Sequence, residues 1–326
     1  MPKKYVIAAD MGGTNIRAAL VGRDGELVGK LREPTGHEPV SGLYRLLDGL
    51  RSEHTDEVCG IGIAVAGLID GNRGTVLQSP NINGINGINL KSDLQERYGL
   101  TTVVENDANA AAYGEKCSGA GKGFDDFVML TLGTGIGGGI VLGGKLLPVA
   151  AEIGHISINA NGVPCACGNV GCLEAYASAS AVIGSAVSEL GRGTRSILKE
   201  LHNGNFYKIT AEDIYKSALD GDPLARTVLR EAGKSLGSGI ASIINVLSPQ
   251  AVILTGGLSG AWNIYVDSAV TEASKRALKE LYRRVVIIHS MLGDDAGMIG
   301  AAALAFEACG RKNKPTGEET PHGSRP

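Results

Sequence analysis

Four side chains with an affinity for soft metals fall close together. His155, Cys165, Cys167 and Cys172 read H-x9-C-x-C-x4-C. Three thiolates and one imidazole make a closed tetrahedral set, the kind that holds structural Zn2+ and leaves no position for a reacting water. Gly168 and Gly171 let the backbone curl around one point. Cys59, Cys117 and Cys309 are scattered, so the cluster points to metal rather than to a disulfide framework. Buried thiols beside a core histidine are the plainer alternative. Glu152 and Glu174 flank the ligands. Fixed by a metal clip, these carboxylates and His155 would offer a polar pocket suited to sugar hydroxyls.

Two glycine turns could bind phosphate. The first is Asp10-Met11-Gly12-Gly13-Thr14-Asn15-Ile16-Arg17 and the second runs from Gly133, Thr134 and Gly135 to Gly139. Such turns present backbone N–H groups and the Thr14 or Thr134 hydroxyl to an anion. Asp10, at the end of a strand, could hold Mg2+ through water, since Mg2+ keeps several of its waters. Neither turn has the lysine of a Walker loop, and neither leads into the helix of a dinucleotide-binding unit. Between them lies Glu105-Asn106-Asp107-Ala108-Asn109. A carboxylate at Asp107, where a strand gives way to a helix, can take the proton of a hydroxyl attacking phosphorus. Capping that helix is the alternative role.

The elements that must position these groups repeat. Strands at 5–9, 16–22 and 26–31 surround the first turn, with a helix at 40–53, a strand at 58–66, a helix at 90–98, a strand at 102–105 and a helix at 108–116. A strand at 126–132, a turn over 133–139, a returning strand at 140–142 and a continuation at 145–148 restate the layout. Helices follow at 175–189, 210–220 and 223–246, then a strand at 251–254 that ends in Thr255-Gly256-Gly257. A helix at 265–281, a strand at 285–289 and a helix at 298–309 close the pattern. Two copies of one α/β layout predict two related lobes with a cleft between them. The length of 326 residues suits two domains. A net charge of -3 gives no reason to expect nucleic acid or an anionic membrane as partner. No apolar run is long enough to cross a bilayer. The opening Met1-Pro2-Lys3-Lys4 leads straight into a strand, so the expected location is cytoplasmic.

Taken in order, these segments resemble the ROK family of sugar kinases and repressors, within the actin-like ATPase superfamily. The resemblance spans residues 6–309 and includes both glycine motifs, the Glu105–Asn109 segment, and Glu152-Ile153-Gly154-His155 through Cys165 to Glu174. It also includes Ile253-Leu254-Thr255-Gly256-Gly257, which looks like an adenosine motif. The resemblance implies an α/β fold of two actin-like (ribonuclease H-like) lobes around a central cleft. One lobe would be residues 1–112, joined by a helix near 298–310. The other would be 113–297, and 311–326 would be a disordered tail. It implies ATP with Mg2+ as phosphoryl donor, a hexose as acceptor, a structural zinc on the His155 cluster, and a homodimer or homotetramer. By the same resemblance Asp107 is the general base. Gly67, Asn81, Asn106, Glu152, His155 and Glu174 would bind the sugar, and Thr14, Thr134 and the glycines would bind ATP. His155 would serve both zinc and sugar.

Glucose is the expected hexose. Other members take other sugars, such as N-acetylmannosamine, fructose or allose. Family glucokinases often carry a Trp in the loop that begins at Asn81, where this chain has Ile85. A sugar-sensing repressor would carry a DNA-reading helix-turn-helix before the first motif, and here Asp10 comes almost at once.

Overall fold

The computed structural model describes residues 4–52 and 57–312. They form two compact units. The first runs to Glu105 and resumes at Ala301; the second is the continuous stretch Asn106–Gly300.

The first unit opens with strands β1 (Tyr5–Met11), β2 (Asn15–Gly22) and β3 (Leu27–Pro34), helix α1 (Pro39–Ser52) and strand β4 (Val58–Val65). A small pair, β5 (Leu68–Asp70) and β6 (Thr75–Gln78), precedes helix α2 (Leu90–Tyr98) and strand β7 (Thr101–Asn106). The sheet order is β3-β2-β1-β4-β7. Strand β1 runs antiparallel to β2 and parallel to β4. A central strand is covered on both faces, which is why Val6, Ile7, Ala8 and Ala9 form an unbroken buried run. Leu43, Leu46, Leu47 and Leu50 line one side of α1 at helical spacing and join that core.

The second unit begins with helix α3 (Asp107–Ser118) and strands β8 (Phe127–Leu132), β9 (Ile136–Leu142) and β10 (Lys145–Leu146). Helices α4 (Glu174–Ala177), α5 (Ala179–Gly191), α6 (Ala211–Leu219) and α7 (Pro223–Leu247) follow. Strand β11 (Ala251–Thr255), helices α8 (Asp267–Arg276) and α9 (Lys279–Tyr282), and strand β12 (Val286–His289) complete the sheet and its cover. The sheet order is β10-β9-β8-β11-β12. Each strand has a counterpart at the same place in the first sheet, as the repeated layout predicts. Alternate residues of β8 serve opposite faces: Val128, Leu130 and Leu132 join one core, Phe127 and Met129 another. Asp222 caps α7 by accepting from the Ala225 amide at 2.8 Å, with Pro223 in the first turn.

Helix α10 (Ala296–Lys312) begins in the second unit and continues in the first. Its later turns lie flush on β4, where a side chain at Gly62 would strike the Ala301 carbonyl. The Cys309 thiol donates to the Cys59 carbonyl at 3.1 Å.

Several expected boundaries differ. The glycine turn predicted over 133–139 closes by Gly135, and Gly137, Gly138 and Gly139 are strand residues of β9. The helix predicted over 265–281 is a π-turn (Trp262–Val266), then α8 and α9, broken where Ala277 turns extended at ψ 153. Ser178 splits the helix predicted over 175–189, because its hydroxyl caps α5 by accepting from the Ala181 amide at 3.2 Å. Residue 53, expected to end α1, lies outside the described residues. So do residues 313–326 of the expected tail, while Arg311 and Lys312 belong to α10.

Candidate active site

Asn106 ends β7 in an extended conformation and its side-chain oxygen accepts from the amides of Ala108 (2.9 Å) and Asn109 (3.0 Å). The cap of α3 is therefore Asn106, and Asp107 is the first helical residue. Asp107 Oδ1 accepts from the Ala108 amide at 2.9 Å. Its carboxylate stands at the positive end of the helix dipole.

Helix α3 packs onto β9 without intervening side chains. A Cβ at Gly139 would lie 2.5 Å from Ala112 Cβ and 2.7 Å from the Ala108 carbonyl. One at Gly137 would lie 3.1 Å from Ala108 Cβ. The glycines of β9 are thus required by close approach, and that approach sets the start of α3 beside the strand that leaves the second glycine turn. Thr134 is exposed at the tip of that turn. The Gly133 amide donates to the Gly135 carbonyl at 3.0 Å, and the Ala179 amide donates to the Gly133 carbonyl at 2.9 Å. Gly256, at φ 89, sits against the neighbouring strand end: a Cβ there would be 2.6 Å from the Leu132 carbonyl. Thr134 and the Gly256–Gly257 diglycine therefore share one edge of the second sheet, at the carboxyl ends of β8 and β11, where open α/β sheets take ligands.

Residues 155–174 form a compact knuckle. Ser157 bridges Cys172 and Pro164 bridges Val170 in antiparallel pairs. The Cys165 amide donates to the Asn169 carbonyl at 2.8 Å, and Gly168 and Gly171 take positive φ of 91 and 75. His155 Nδ1 lies 3.8 Å from Cys165 Sγ, and Cys167 Sγ lies 3.7 Å from Cys172 Sγ. All four ligand atoms lie within 4.8 Å of one another. Tetrahedral zinc with Zn–S bonds of about 2.3 Å needs ligand atoms about 3.8 Å apart, so the donor set fits the ion. The Asn169 backbone and the neighbouring Cys165 pull the Cys167 thiol below its ordinary value. Burial and the adjacent thiols push Cys172 up to about 12. The other ring nitrogen of His155 faces Glu152, with Nε2 4.0 Å from Oε2.

Glu174, expected at the sugar, is placed against the second glycine turn: its Oε2 accepts the Ile136 amide at 2.7 Å. The knuckle and the turn are thereby joined through Cys172-Leu173-Glu174.

In the first unit the glycine turn links β1 to β2. The Gly12 amide donates to the Asn15 carbonyl at 3.0 Å, and Thr35 Oγ1 donates to the Gly12 carbonyl at 2.6 Å. The Thr35 amide donates to the Thr14 carbonyl at 3.0 Å. Asp10 forms an ion pair with Arg17, its register partner across the hairpin. Asn81 lies over the turn, since a Cβ at Gly13 would be 2.8 Å from the Asn81 carbonyl. Gly67, at φ 155, abuts Gln78 and Ser79. Ser79 organises this loop: its hydroxyl donates to the Ala66 carbonyl at 2.6 Å, and its amide donates to Asn86 Oδ1 at 2.8 Å. Ser79 and Asn86 were missed in the sequence, where the loop reads only as rich in Asn and Gly. Ile82 and Ile85, three apart and wholly buried, were the available signal. Ile85, which stands where family glucokinases often carry Trp, anchors the core of the first unit and offers no ring surface.

The two glycine turns, the diglycine and the cysteine knuckle stand on an α/β frame with mixed sheets, a sugar kinase fold. The chain belongs to the ROK family, whose pattern matches residues 6–308. It is 37% identical over 311 residues to a glucokinase of Streptomyces coelicolor, covering 92% of this chain and 97% of that one. The crystal structure of a ROK family glucokinase from Streptomyces griseus in complex with glucose and AMPPNP is 36% identical, with a TM-score of 0.81 over 93% of this chain and 99% of that one. A xylose repressor of Bacillus subtilis is 32% identical over 314 residues, covering 93% of this chain and 77% of that one.

Proposed function

We propose that the protein is a glucokinase: it transfers the γ-phosphoryl group of ATP to a hydroxyl of glucose. The observation that carries this reading is the seat of α3. Its first residue, Asp107, stands beside the strand that leaves the second glycine turn, on the same unit as the Gly256–Gly257 diglycine. The Streptomyces relatives and the glucose–AMPPNP complex support glucose and ATP as the substrates.

In this mechanism the sugar hydroxyl gives its proton to Asp107 as its oxygen attacks the γ-phosphorus, and ADP leaves with the former bridging oxygen. Turn amides around Gly12, Gly13, Gly133 and Gly135, with the Thr14 and Thr134 hydroxyls, offset phosphate charge. Mg2+, when bound with ATP, neutralises charge on the phosphates, and Asp10 would meet it through water. Asn81, Asn106, Glu152 and His155 orient the sugar hydroxyls, with Gly67 at the strand-end turn. Glu174 holds the second turn and completes the polar wall. His155, Cys165, Cys167 and Cys172 would hold zinc in a structural role, and the closed ligand set would fix His155 and Glu174 in place. Among the described residues no helix is long and apolar enough to cross a membrane, in keeping with a cytoplasmic enzyme.

A coupled assay of ADP release with glucose, N-acetylmannosamine, fructose and allose tests the reading. Glucose should give the highest kcat/KM. No turnover with any hexose would remove the kinase reading and leave the repressor one, which the Bacillus relative favours. Metal analysis should find one zinc per chain.

A further inference from the structure

Two pieces of chain meet β9 from opposite faces. Gly137 and Gly139 turn toward α3, and Gly138 turns away from it: a Cβ at Gly138 would lie 2.5 Å from Ile153 Cδ1 and 3.0 Å from the Ala151 carbonyl. The segment 147–152, which has no regular structure, therefore passes round the edge of β9 on its way to the 3-10 turn Ile153–His155. It does so where pairing with β10 has ended at Val141. At the start of the passage the Leu147 amide donates to the Ile140 carbonyl at 2.8 Å. At its end Gly154 is packed so closely that a side chain there would strike the Ile136 carbonyl. Both ends are thus fixed to one strand.

The middle is fixed from α3. Asn109 Nδ2 donates to the Val149 carbonyl at 3.0 Å, across 40 residues of chain. Asn109 is 3% exposed, whereas Val149 turns its own side chain outward at 44%. The Val149 amide donates to the Leu147 carbonyl at 2.9 Å, so the acceptor sits in a tight turn. Asn109 has little freedom to move, because a Cβ at Gly139 would lie 3.2 Å from its Cα. A carboxamide can donate here; a carboxylate of the same shape would set oxygen against oxygen. Asn109 and Asp107 share the first turn of α3 and, two residues apart, leave it on different sides. One turn of helix thus carries the proposed base on one side and clasps the segment leading to Glu152 and His155 with the other.

We infer that Asn109 is a positioning residue for the sugar: by holding the Val149 carbonyl it keeps Glu152 and His155 at a fixed reach from Asp107, so its loss weakens the hexose and spares the nucleotide. The inference rests on the glucokinase reading, with Glu152 and His155 at the sugar.

Asn109→Asp keeps the shape and removes the donor. It should raise KM for glucose by about tenfold, or ~1.4 kcal/mol, the worth of one buried hydrogen bond. KM for ATP should stay within about threefold and Tm within about 5 °C. A purely structural part would lower Tm and leave both KM values alone or move them together. In a Glu152→Gln background, Asn109→Asp should add less than about twofold, because the carboxylate it positions is gone. Val149→Ala keeps the carbonyl and should leave both KM values within about twofold. In the unliganded wild type, peptides spanning 147–155 should exchange their amide hydrogens more slowly than unstructured chain. Wild-type turnover with glucose, combined with an unchanged glucose KM in Asn109→Asp or with full additivity to Glu152→Gln, overturns the inference and leaves the kinase intact. Free-chain exchange over 147–155 overturns it without any variant, so a poorly folding Asn109→Asp does not shield it. Absence of turnover with any hexose in the wild type instead removes the reading beneath it.

Discussion

The two glycine turns occupy the same place in two sheets of the same strand order, yet they are fastened differently. The first is braced within its own neighbourhood: Asp10 pairs with Arg17 across the hairpin, and Thr35 closes over Gly12 and Thr14. Strand β2, which leaves it, has no glycine before Gly22. The second is braced from outside. Strand β9 carries three consecutive glycines, α3 rests on Gly137 and Gly139, and Glu174 reaches in from the cysteine knuckle. A duplicated frame thus kept its strands and exchanged its fastenings. Close helix approach and the cysteine knuckle belong to the turn that stands beside Asp107.

The sharpest way to break this comparison is Asp107→Asn. It should lower kcat by about a thousandfold, the usual worth of a general base, with sugar binding retained. Turnover within a few-fold of wild type, measured by ADP release, would show that the second turn has no chemical partner in α3. Next in size is loss of the metal clip. Cys167→Ser, or chelation, should remove zinc, raise KM for the hexose, and lower Tm by about 10 °C. A zinc-free variant that binds sugar normally by calorimetry contradicts the link from knuckle to pocket.

Glu115→Ala should cost roughly 3 kcal/mol in urea unfolding. Its wholly buried carboxylate accepts from the amides of Ala120, Met291 and Leu292 and from the Ser290 hydroxyl. A loss under 1 kcal/mol would mean water replaces it. Gly139→Ala should cost about 2 kcal/mol through collision with α3, whereas Gly133→Ala, in open space, should stay within about 0.5 kcal/mol. Equal costs would show that glycine serves the two positions for the same reason.

The smallest effect belongs to the first unit. Burial alone would raise the Asp48 carboxyl, but hydrogen bonds from Tyr98 and Arg97 outweigh it and hold the group below its usual value. A group depressed in the folded state stabilises above the ordinary carboxylate range and loses that contribution as pH falls through its folded value. Half-exposed and screened, it is worth a few tenths of a kcal/mol. Asp48→Asn should therefore be slightly less stable than wild type at pH 7 and indistinguishable near pH 2.

Much of this was legible beforehand. The repeated layout foretold the matched sheet orders, because strand, turn and strand leave a period in the residues themselves. The H-x9-C-x-C-x4-C spacing foretold the knuckle, because metal ligands must converge whatever lies between them. What escaped were contacts set by packing partners remote in the chain. Gly137 to Gly139 read as loop because glycine usually signals a turn; their pairing with β8, and α3 seated on Gly137 and Gly139, make them strand. Glu174 read as a sugar ligand by resemblance, and the contact of its Oε2 with the Ile136 amide of the second turn is one the spacing gave no sign of. Asn106 rather than Asp107 caps α3 because β7 runs one residue farther than its apolar pattern.

Helix α10 gives the chain an order of completion. Residues 106–300 leave the ribosome as one uninterrupted stretch and hold every strand of their own sheet. The other unit must wait: Cys59 meets Cys309 only 250 residues later. Closing so long a loop is entropically slow. Strand β4 therefore stays uncovered by its helix until the whole of the second unit has been made.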